Sequence, residues 1–341
     1  MLEKTAVGVA VSVGVGALAG WWAWRRYTSL QLPDEWEEVG EVSDLTIFPL
    51  KSGRGVSVEQ AQATTHGLAH GDLQDRSFLV VQAKDCRFVT CRQAGRLTMV
   101  ALTLEDHTVT LEADGFPPIK FDLQKALREW KIVHTKVWTY YARGVDCGDE
   151  AAKWLTTVLF NGETEVRLLY KGNLVEDRPA RRMDYYDFPR YRNKDRTYYA
   201  DTCAYLLTSE SSLKDLNDRL EDPVTMARFR ANIIVRGAPP FDEDDWAFVK
   251  IGQVVLRLIK PCQRCITTTV DPTTGERNPE QEPLASLRRF RILSEPPSLA
   301  KAWEAKPIFG INMGIDVTGP VKVGDKVLVA RASVNPQMTI F

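Results

Sequence analysis

Residues 258–276, LIKPCQRCITTTVDPTTGE, decide how this chain is read. The pair Cys262-Gln-Arg-Cys265 runs into Thr267-Thr268-Thr269-Val270 and then an Asp-Pro-Thr-Thr-Gly turn. β-Branched residues favour extended backbone, whereas Asp, Pro and Gly punctuate it. The cysteines are therefore expected on a strand or loop. A thioredoxin-like pair would open a helix, so that reading is disfavoured. Structural zinc is disfavoured as well, because it needs four ligands and no second CxxC exists. His66 and His70 stand four apart, but nothing in the sequence ties them to the cysteines. What is left is a cysteine on irregular backbone beside the cation Arg264, a setting that favours thiolate. A thiolate suits a soft metal centre or persulfide chemistry.

Around this run the pattern is mostly that of strands. Residues 42–50, 78–82, 99–104, 108–112 and 132–140 carry β-branched and aromatic side chains, often alternating, between Gly or charged turns. Further strands are expected at 199–208, 232–235, 254–260 and 322–330, the last a barrel-closing strand introduced by a Val-Gly-Asp turn. Helical spacing is rarer. Residues 149–160 place Ala152, Leu155 and Leu159 on one stripe, with Asp149 and Glu150 at the positive helix start. Residues 211–220 repeat the pattern with Leu213, Leu216 and Leu220, and a third helix is expected at 284–291. The prediction is an α+β fold, predominantly β and barrel-like, with a few covering helices.

Composition narrows the class. The 341 residues are 44% apolar and 26% charged, enough for two domains with large cores. A net charge of −1 gives no field for nucleic acid. Six irregularly spaced cysteines read as reduced thiols. Residues 31–38 read as a polar linker. Residues 176–200 hold seven Lys or Arg against five Asp or Glu, too small a surplus for a phosphate track, and read as a solvated connector. The expected organisation is an anchor over 1–30, a β domain over 38–175 and a second domain over 176–335.

The anchor is read from residues 5–24, TAVGVAVSVGVGALAGWWAW, which carry no charge. A helix of that length spans about 30 Å, the thickness of a hydrocarbon core. Trp21, Trp22 and Trp24 fit an aromatic belt, and Arg25 and Arg26 keep the remainder of the chain on the cytosolic side. Ala17-Leu18-Ala19 resembles a signal-cleavage site, but the preceding Met-Leu-Glu-Lys is barely basic.

Several runs together carry a resemblance: PCQRCITTTVDP (261–272), LTIFPLKS (45–52), GDLQDRSFLVV (71–81), YADTCAYLLTSESSL (199–213), MARFRANIIV (226–235) and KPIFG (306–310). In this order they resemble the MOSC-domain family, from about 40 to about 330. With an N-terminal anchor, the chain is most similar to the branch that reduces N-hydroxylated compounds at a molybdenum-molybdopterin cofactor. The resemblance implies a MOSC barrel-like domain preceded by a MOSC-associated β domain.

The same resemblance implies a set of site residues. Cys265 is the implied molybdenum ligand, and Cys262 reads as structural. Lys51, Ser52, Arg76 and Arg230 match residues that hold the pterin and its phosphate, chemistry that suits converging cations and hydroxyls. Gln263 and Arg264 would contribute from the cysteine loop, Thr202 and Cys203 from the run 199–213, and Asn232 and Asn312 as amide partners for the pterin. Asp201 matches a carboxylate beside the metal, in place to relay protons. Two departures stand out: Cys203 replaces an expected serine, and Asn312 sits where relatives carry an aromatic residue. Taken singly, Lys51 reads as a strand cap, Arg76 as a partner of Asp75 and Asp201 as a turn residue.

The implied activity is two-electron reduction of amidoximes, hydroxylamines and N-oxides. The sequence has no GxGxxG after a strand and no CxxxxCxxC, so electrons are expected from a partner. The resemblance implies cytochrome b5 with its NADH-dependent reductase, on the mitochondrial outer membrane. The arginines between 178 and 196 are expected to dock this acidic haem protein. The alternative is a cofactor or sulfur (persulfide) carrier without reductase activity; a desulfurase would need a pyridoxal-phosphate lysine domain.

Overall fold

In a computed structural model, the described residues are 32–172, 178–180, 188, 190–295, 297–304 and 306–332. The expected anchor and the expected seam near 175 lie outside them. Among the described residues no helix is long and apolar enough to cross a membrane.

The centre is a closed ring of strands: β1 (Glu37–Ile47), β2 (Tyr205–Ser209), β3 (Ile233–Arg236), β4 (Trp246–Ile251), β5 (Val254–Gln263), β6 (Ile308–Val317) and β7 (Lys326–Arg331). They pair in the order β3-β2-β6-β5-β4-β7-β1, and β1 returns to β3, so no edge is left open. Every pairing is antiparallel except β2 with β3. A parallel pair needs a crossover, and here it is the helix Glu210–Asn217 with the 3₁₀ turn Met226–Phe229. Ser209 caps that helix by accepting from Ser212 N at 3.2 Å.

Both faces of β5 and β6 are covered. Val254, Leu256 and Leu258 join the central core, while Ile259 and Ile308 pack with Leu299 and Trp303 of the helix Pro297–Trp303 outside it. A strand buried on two faces has no apolar–polar alternation. β5 is still legible from its unbroken Val-Val-Leu-Arg-Leu-Ile run. Gly310, Asn312 and Gly314 interrupt residues 308–317, which give no strand signal although β6 pairs with β5 along most of its length. Gly310 in β6 has φ +72°, and a Cβ there would come within 2.6 Å of Leu207 O. Only glycine lets β6 approach β2 so closely.

Smaller sheets surround the ring. A three-stranded meander spans Ala101–Glu105, Thr108–Ala113 and Phe116–Asp122. A four-stranded sheet joins Ile132–Val137, Tyr140–Asp146, Val166–Tyr170 and Phe78–Gln82. The helix Asp149–Phe160 buries Ala152, Leu155 and Leu159 as its stripe predicts, and ends at Asn161 in the left-handed region. A second four-stranded sheet pairs Gly319–Lys322 with Gln60–Thr64, Gly67–His70 and Leu73–Gln74. Chain order and spatial order therefore differ: β1 completes a ring built otherwise from residues after 204, and Gln60–Thr64 pairs with a strand beyond 318.

Three expectations change in detail. The strand expected over 132–140 is a hairpin that turns at Trp138 and Thr139, with Trp138 at φ 58°. The strand expected over 199–208 begins only at Tyr205, because Tyr199–Ala204 forms an irregular segment whose residues 200–203 line a cavity. The final expected strand appears as β7, which follows the Val-Gly-Asp turn as expected, while Lys322 before the turn ends a separate strand, Gly319–Lys322.

Candidate active site

One cavity of about 370 Å³ opens at the junction of the ring and the surrounding sheets. Every residue singled out from the sequence as a ligand or cofactor contact lines it: Lys51, Ser52, Arg76, Asp201, Thr202, Cys203, Arg230, Asn232, Gln263, Arg264, Cys265 and Asn312.

The cysteine loop leaves the end of β5. Gln263 still pairs with Ile308, and Arg264 N donates to Pro307 O at 2.7 Å. Cys265 then precedes the 3₁₀ turn Ile266–Thr269, and its carbonyl accepts from Thr268 N and Thr268 Oγ1, both at 3.0 Å. The backbone is fixed while the thiol is left exposed, 3.4 Å from Thr267 Oγ1. Cys262 is half-buried against Leu206, Ala231 and Ile234, yet it also borders the cavity. Among the described residues no cluster of three or more His, Cys, Asp or Glu converges, so a zinc-type cage is not formed. A metal on Cys265 would take its remaining ligands from a cofactor.

The floor is built on Asp75. Its Oδ1 accepts from Phe48 N and Asn232 Nδ2, each at 2.9 Å, and its Oδ2 pairs with Arg76 Nη1. Burial nevertheless pushes the Asp75 carboxyl up, against the opposing charge of Arg76. The Arg76 and Arg230 guanidiniums lie 4.7 and 4.4 Å from the centre of the Phe48 ring. Arg230 Nη1 donates to Gly53 O, whereas its Nη2 is buried without a partner among the described residues. Burial, then the like charge of Arg76, lowers the Arg230 guanidinium to about 10, so it is still a cation at neutral pH. Ser52, Arg76 and Arg230 all hold positive φ, at 66°, 48° and 57°. Such backbone is costly for side-chain-bearing residues, and three cases gather at one cavity.

Two of the expected contact side chains, Asn232 and Arg264, already make hydrogen bonds within the fold. Asn232 has both amide hydrogens and both acceptor positions occupied, by Thr46 O, Asp75, Arg76 and Leu206 N. Arg264 gives Nε and Nη2 to Phe309 O and Nη1 to Phe229 O, and sits 5.3 and 5.8 Å from the Phe229 and Phe309 rings. Asn232 is fully engaged within the fold, whereas Arg264 uses three of its five N–H groups there and keeps two at the cavity. Ser52, Thr202, Gln263 and Asn312, by contrast, make no side-chain hydrogen bond within the described residues, and are open to a ligand. Cys203 is buried, and burial holds its thiol up at about 12, a neutral S–H in place of the expected serine hydroxyl.

Asp201 Oδ1 accepts from Lys51 and, at 2.8 Å, from Trp138 Nε1. The Asp201 side chain is 57% accessible, yet desolvation by the surrounding cavity wall would by itself raise this carboxyl. The Lys51 charge and hydrogen bond, the indole N–H and Arg92 outweigh it and hold the group well below the usual carboxylate range.

The lining also contains residues that the sequence did not single out: Arg92, Trp138, Arg228, Lys260 and Lys306. Trp138 was hidden by reading the hairpin as one strand; the cations carried no local signal. With them the lining holds Lys51, Arg76, Arg92, Arg228, Arg230, Lys260, Arg264 and Lys306 against one carboxylate, Asp201. Arg228 is paired outside with Asp271 at 2.9 Å. The excess marks a site for an anionic ligand.

Two of the arginines expected to dock a partner are engaged within the fold. Arg190 is buried beside the Phe248 ring, and Arg192 pairs with Asp316 at 2.7 Å. Arg257, bonded to Asp195, completes this internal network. Arg196, by contrast, is half-buried, and its Nη1 donates to Asn193 O at 2.6 Å. Arg181 and Arg182 lie outside the described residues.

Comparison with known proteins gives the same order along the chain. Residues 39–161 match the MOSC N-terminal beta barrel domain, and residues 194–328 match the MOSC domain. The chain is 37% identical over 327 residues to the rat mitochondrial amidoxime reducing component 2, covering 95% of this chain and 93% of that protein. It is also 37% identical to the human mitochondrial amidoxime-reducing component 1, over 94% of this chain and 92% of the relative. The Bos taurus component 2 is 38% identical over 322 residues, 94% of this chain and 92% of that protein. A predominantly β chain with both MOSC domains and this degree of identity belongs to the family of mitochondrial amidoxime-reducing components.

Proposed function

We propose that the chain is a molybdenum-cofactor-dependent reductase of N-hydroxylated compounds, with Cys265 as the protein ligand of the metal. The observation that carries this reading is the cationic cavity beneath an exposed cysteine, with the buried, unpartnered Nη2 of Arg230 in its floor among the described residues. The residues fit a phosphate-bearing pterin: Arg230 supplies the unspent donor, Lys51 and Arg76 add charge, and Ser52, Thr202, Gln263 and Asn312 offer uncommitted polar side chains. When bound, the cofactor supplies the two-electron chemistry that, with two protons, converts an N–OH group to N–H and water.

The chain's own residues then have separate tasks. Asn232 and Arg264 hold the floor and the cysteine loop in place. The Cys265 backbone is anchored by Thr268 so that the thiol faces the cavity. Lys51, joined to Asp201 and to Tyr199 O, keeps an ammonium at the mouth. Electrons come from a separate donor, read as cytochrome b5 with its NADH-dependent reductase. The uncharged run 5–24 is read as a membrane anchor at the mitochondrial outer membrane, with the cavity on the cytosolic side.

The test is reduction of benzamidoxime to benzamidine by the full chain purified from a cofactor-producing host, with a chemical electron donor. Turnover is expected in the wild type, and at least about a thousandfold less in Cys265→Ala. Equal rates in the two proteins would refute the assignment of Cys265. Persulfide on Cys265 with no turnover would favour the sulfur-carrier reading.

A further inference from the structure

We propose that Asp201 selects the substrate: its Oδ2 accepts an N–H from a nitrogen adjacent to the N–OH group, so amidoxime-like substrates are preferred over N-oxides without an N–H. The inference rests on the reductase reading above and names the recognition element at the same site.

The first argument is charge. Asp201 is the single carboxylate among the described lining residues, against eight Lys and Arg. An anionic cofactor accounts for the cations but is repelled by a carboxylate, so Asp201 needs a different explanation. Neutralising Lys51 explains only half of the group. Oδ1 takes both protein donors, Lys51 Nζ and Trp138 Nε1, while Oδ2 makes no hydrogen bond within the described residues. The Asp201 side chain is 57% accessible, whereas that of Lys51 is 6%. One oxygen is tied to the wall and the other is presented to the cavity.

The second argument is support. Lys51 is fixed from behind by Tyr199 O at 2.8 Å. Trp138 stands at the turn of the hairpin Ile132–Val137 and Tyr140–Asp146, with the Arg92 guanidinium 4.4 Å from its ring centre and Phe88 edge-on at 5.3 Å. The carboxylate is thus held in one orientation by side chains that are themselves held. A preorganised acceptor of this kind rejects partners that lack the matching donor, because its desolvation is then left uncompensated. An amidoxime carries an amino group on the carbon that bears the N–OH, placing an N–H donor beside the reacting bond. A tertiary amine N-oxide has none. Asp201 is therefore a substrate-binding residue and Trp138 a positioning residue.

The experiment compares wild type, Asp201→Asn and Trp138→Phe as cofactor-loaded full chains. Benzamidoxime and N,N-dimethylaniline N-oxide serve as substrates, and calorimetry measures binding of benzamidine, which keeps the N–H donors. In Asp201→Asn the ratio of kcat/KM for the amidoxime to that for the N-oxide is expected to fall about tenfold or more, through KM, and benzamidine affinity to fall by a similar factor. Trp138→Phe, which keeps the ring and loses the N–H, is expected to shift both in the same direction by a smaller factor. An unchanged ratio with unchanged benzamidine binding would overturn the proposal. Should the wild type reduce neither substrate, the reductase reading fails by itself, and benzamidine calorimetry still decides the role of Asp201. Should Asp201→Asn not fold, the Trp138→Phe shift carries the same decision.

Discussion

Two buried guanidiniums border the same cavity, and they have been left in opposite conditions. Arg264, in the cysteine loop, lies against Phe229 and Phe309 and gives three of its five N–H groups to their backbone carbonyls. Arg230, in the floor, lies against Phe48, gives one N–H to Gly53 O and leaves Nη2 with no partner among the described residues. Burial disfavours the charge of both. A third buried group, Glu243 below the helix Glu210–Asn217, shows the other way out. Its carboxyl meets the hydroxyls of Ser209 and Ser212, and burial with the nearby Asp244 pushes it up to about 7. A glutamic acid relieves an unpaired burial by taking a proton. An arginine cannot lose its own near neutral pH; Asp75 and Asp201 offset the Arg230 charge through space, but Nη2 has no acceptor among the described residues. The contrast separates a bracket from a binding group in residues of the same type.

The comparison can be broken by substitution. Arg264→Met should destabilise the protein by roughly 4 kcal/mol with or without cofactor, since it strands two buried carbonyls and removes charge-assisted hydrogen bonds. Denaturant unfolding of the cofactor-free protein measures this, and a loss under about 1 kcal/mol would remove the bracket role.

Glu243 should make stability depend on pH. Its folded value is raised above that of an exposed glutamate, so its contribution is fully present below about 4.5 and is lost as pH rises through about 7. Glu243→Gln should therefore gain on the wild type by up to about 3 kcal/mol between pH 5 and pH 8. Parallel unfolding curves at the two pH values would show that burial does not raise this carboxyl.

Arg230→Met should leave the cofactor-free protein within about 1 kcal/mol of wild type, because relief of an unpaired charge offsets the lost bond to Gly53 O. Its retention of cofactor should fall by tens-fold, about 2 kcal/mol. The opposite pattern, lost stability with full retention, would make Arg230 a second bracket.

Much of this contrast lay beyond the reach of sequence reading. The β-rich ring was legible in β5, whose strand-formers run unbroken although both its faces are covered, but not in β4 or in β6, which Gly310, Asn312 and Gly314 interrupt. Lys51, Arg76, Arg230 and Cys265 were singled out through runs that resemble a family, and one cavity gathers them from distant parts of the chain. Which of them bind and which brace was not readable. The acceptors of Arg264 come from residues 35 and 45 positions away, and those of Asn232 from 157 and 186 away. The role of Asp201 depends on Trp138, which only the turn of the hairpin brings to the mouth. Spacing along the chain encodes local structure, whereas whether a polar group is spent is settled by tertiary contacts.

The central claim is that the cationic cavity holds an anionic molybdenum cofactor on Cys265. The most direct measurement is elemental molybdenum together with pterin fluorescence on the full chain, wild type and Cys265→Ala, purified from a cofactor-producing host. Molybdenum and pterin near one per wild-type chain, with the metal depleted in the variant, is the predicted result. Folded wild-type protein from that host with neither metal nor pterin would contradict the account.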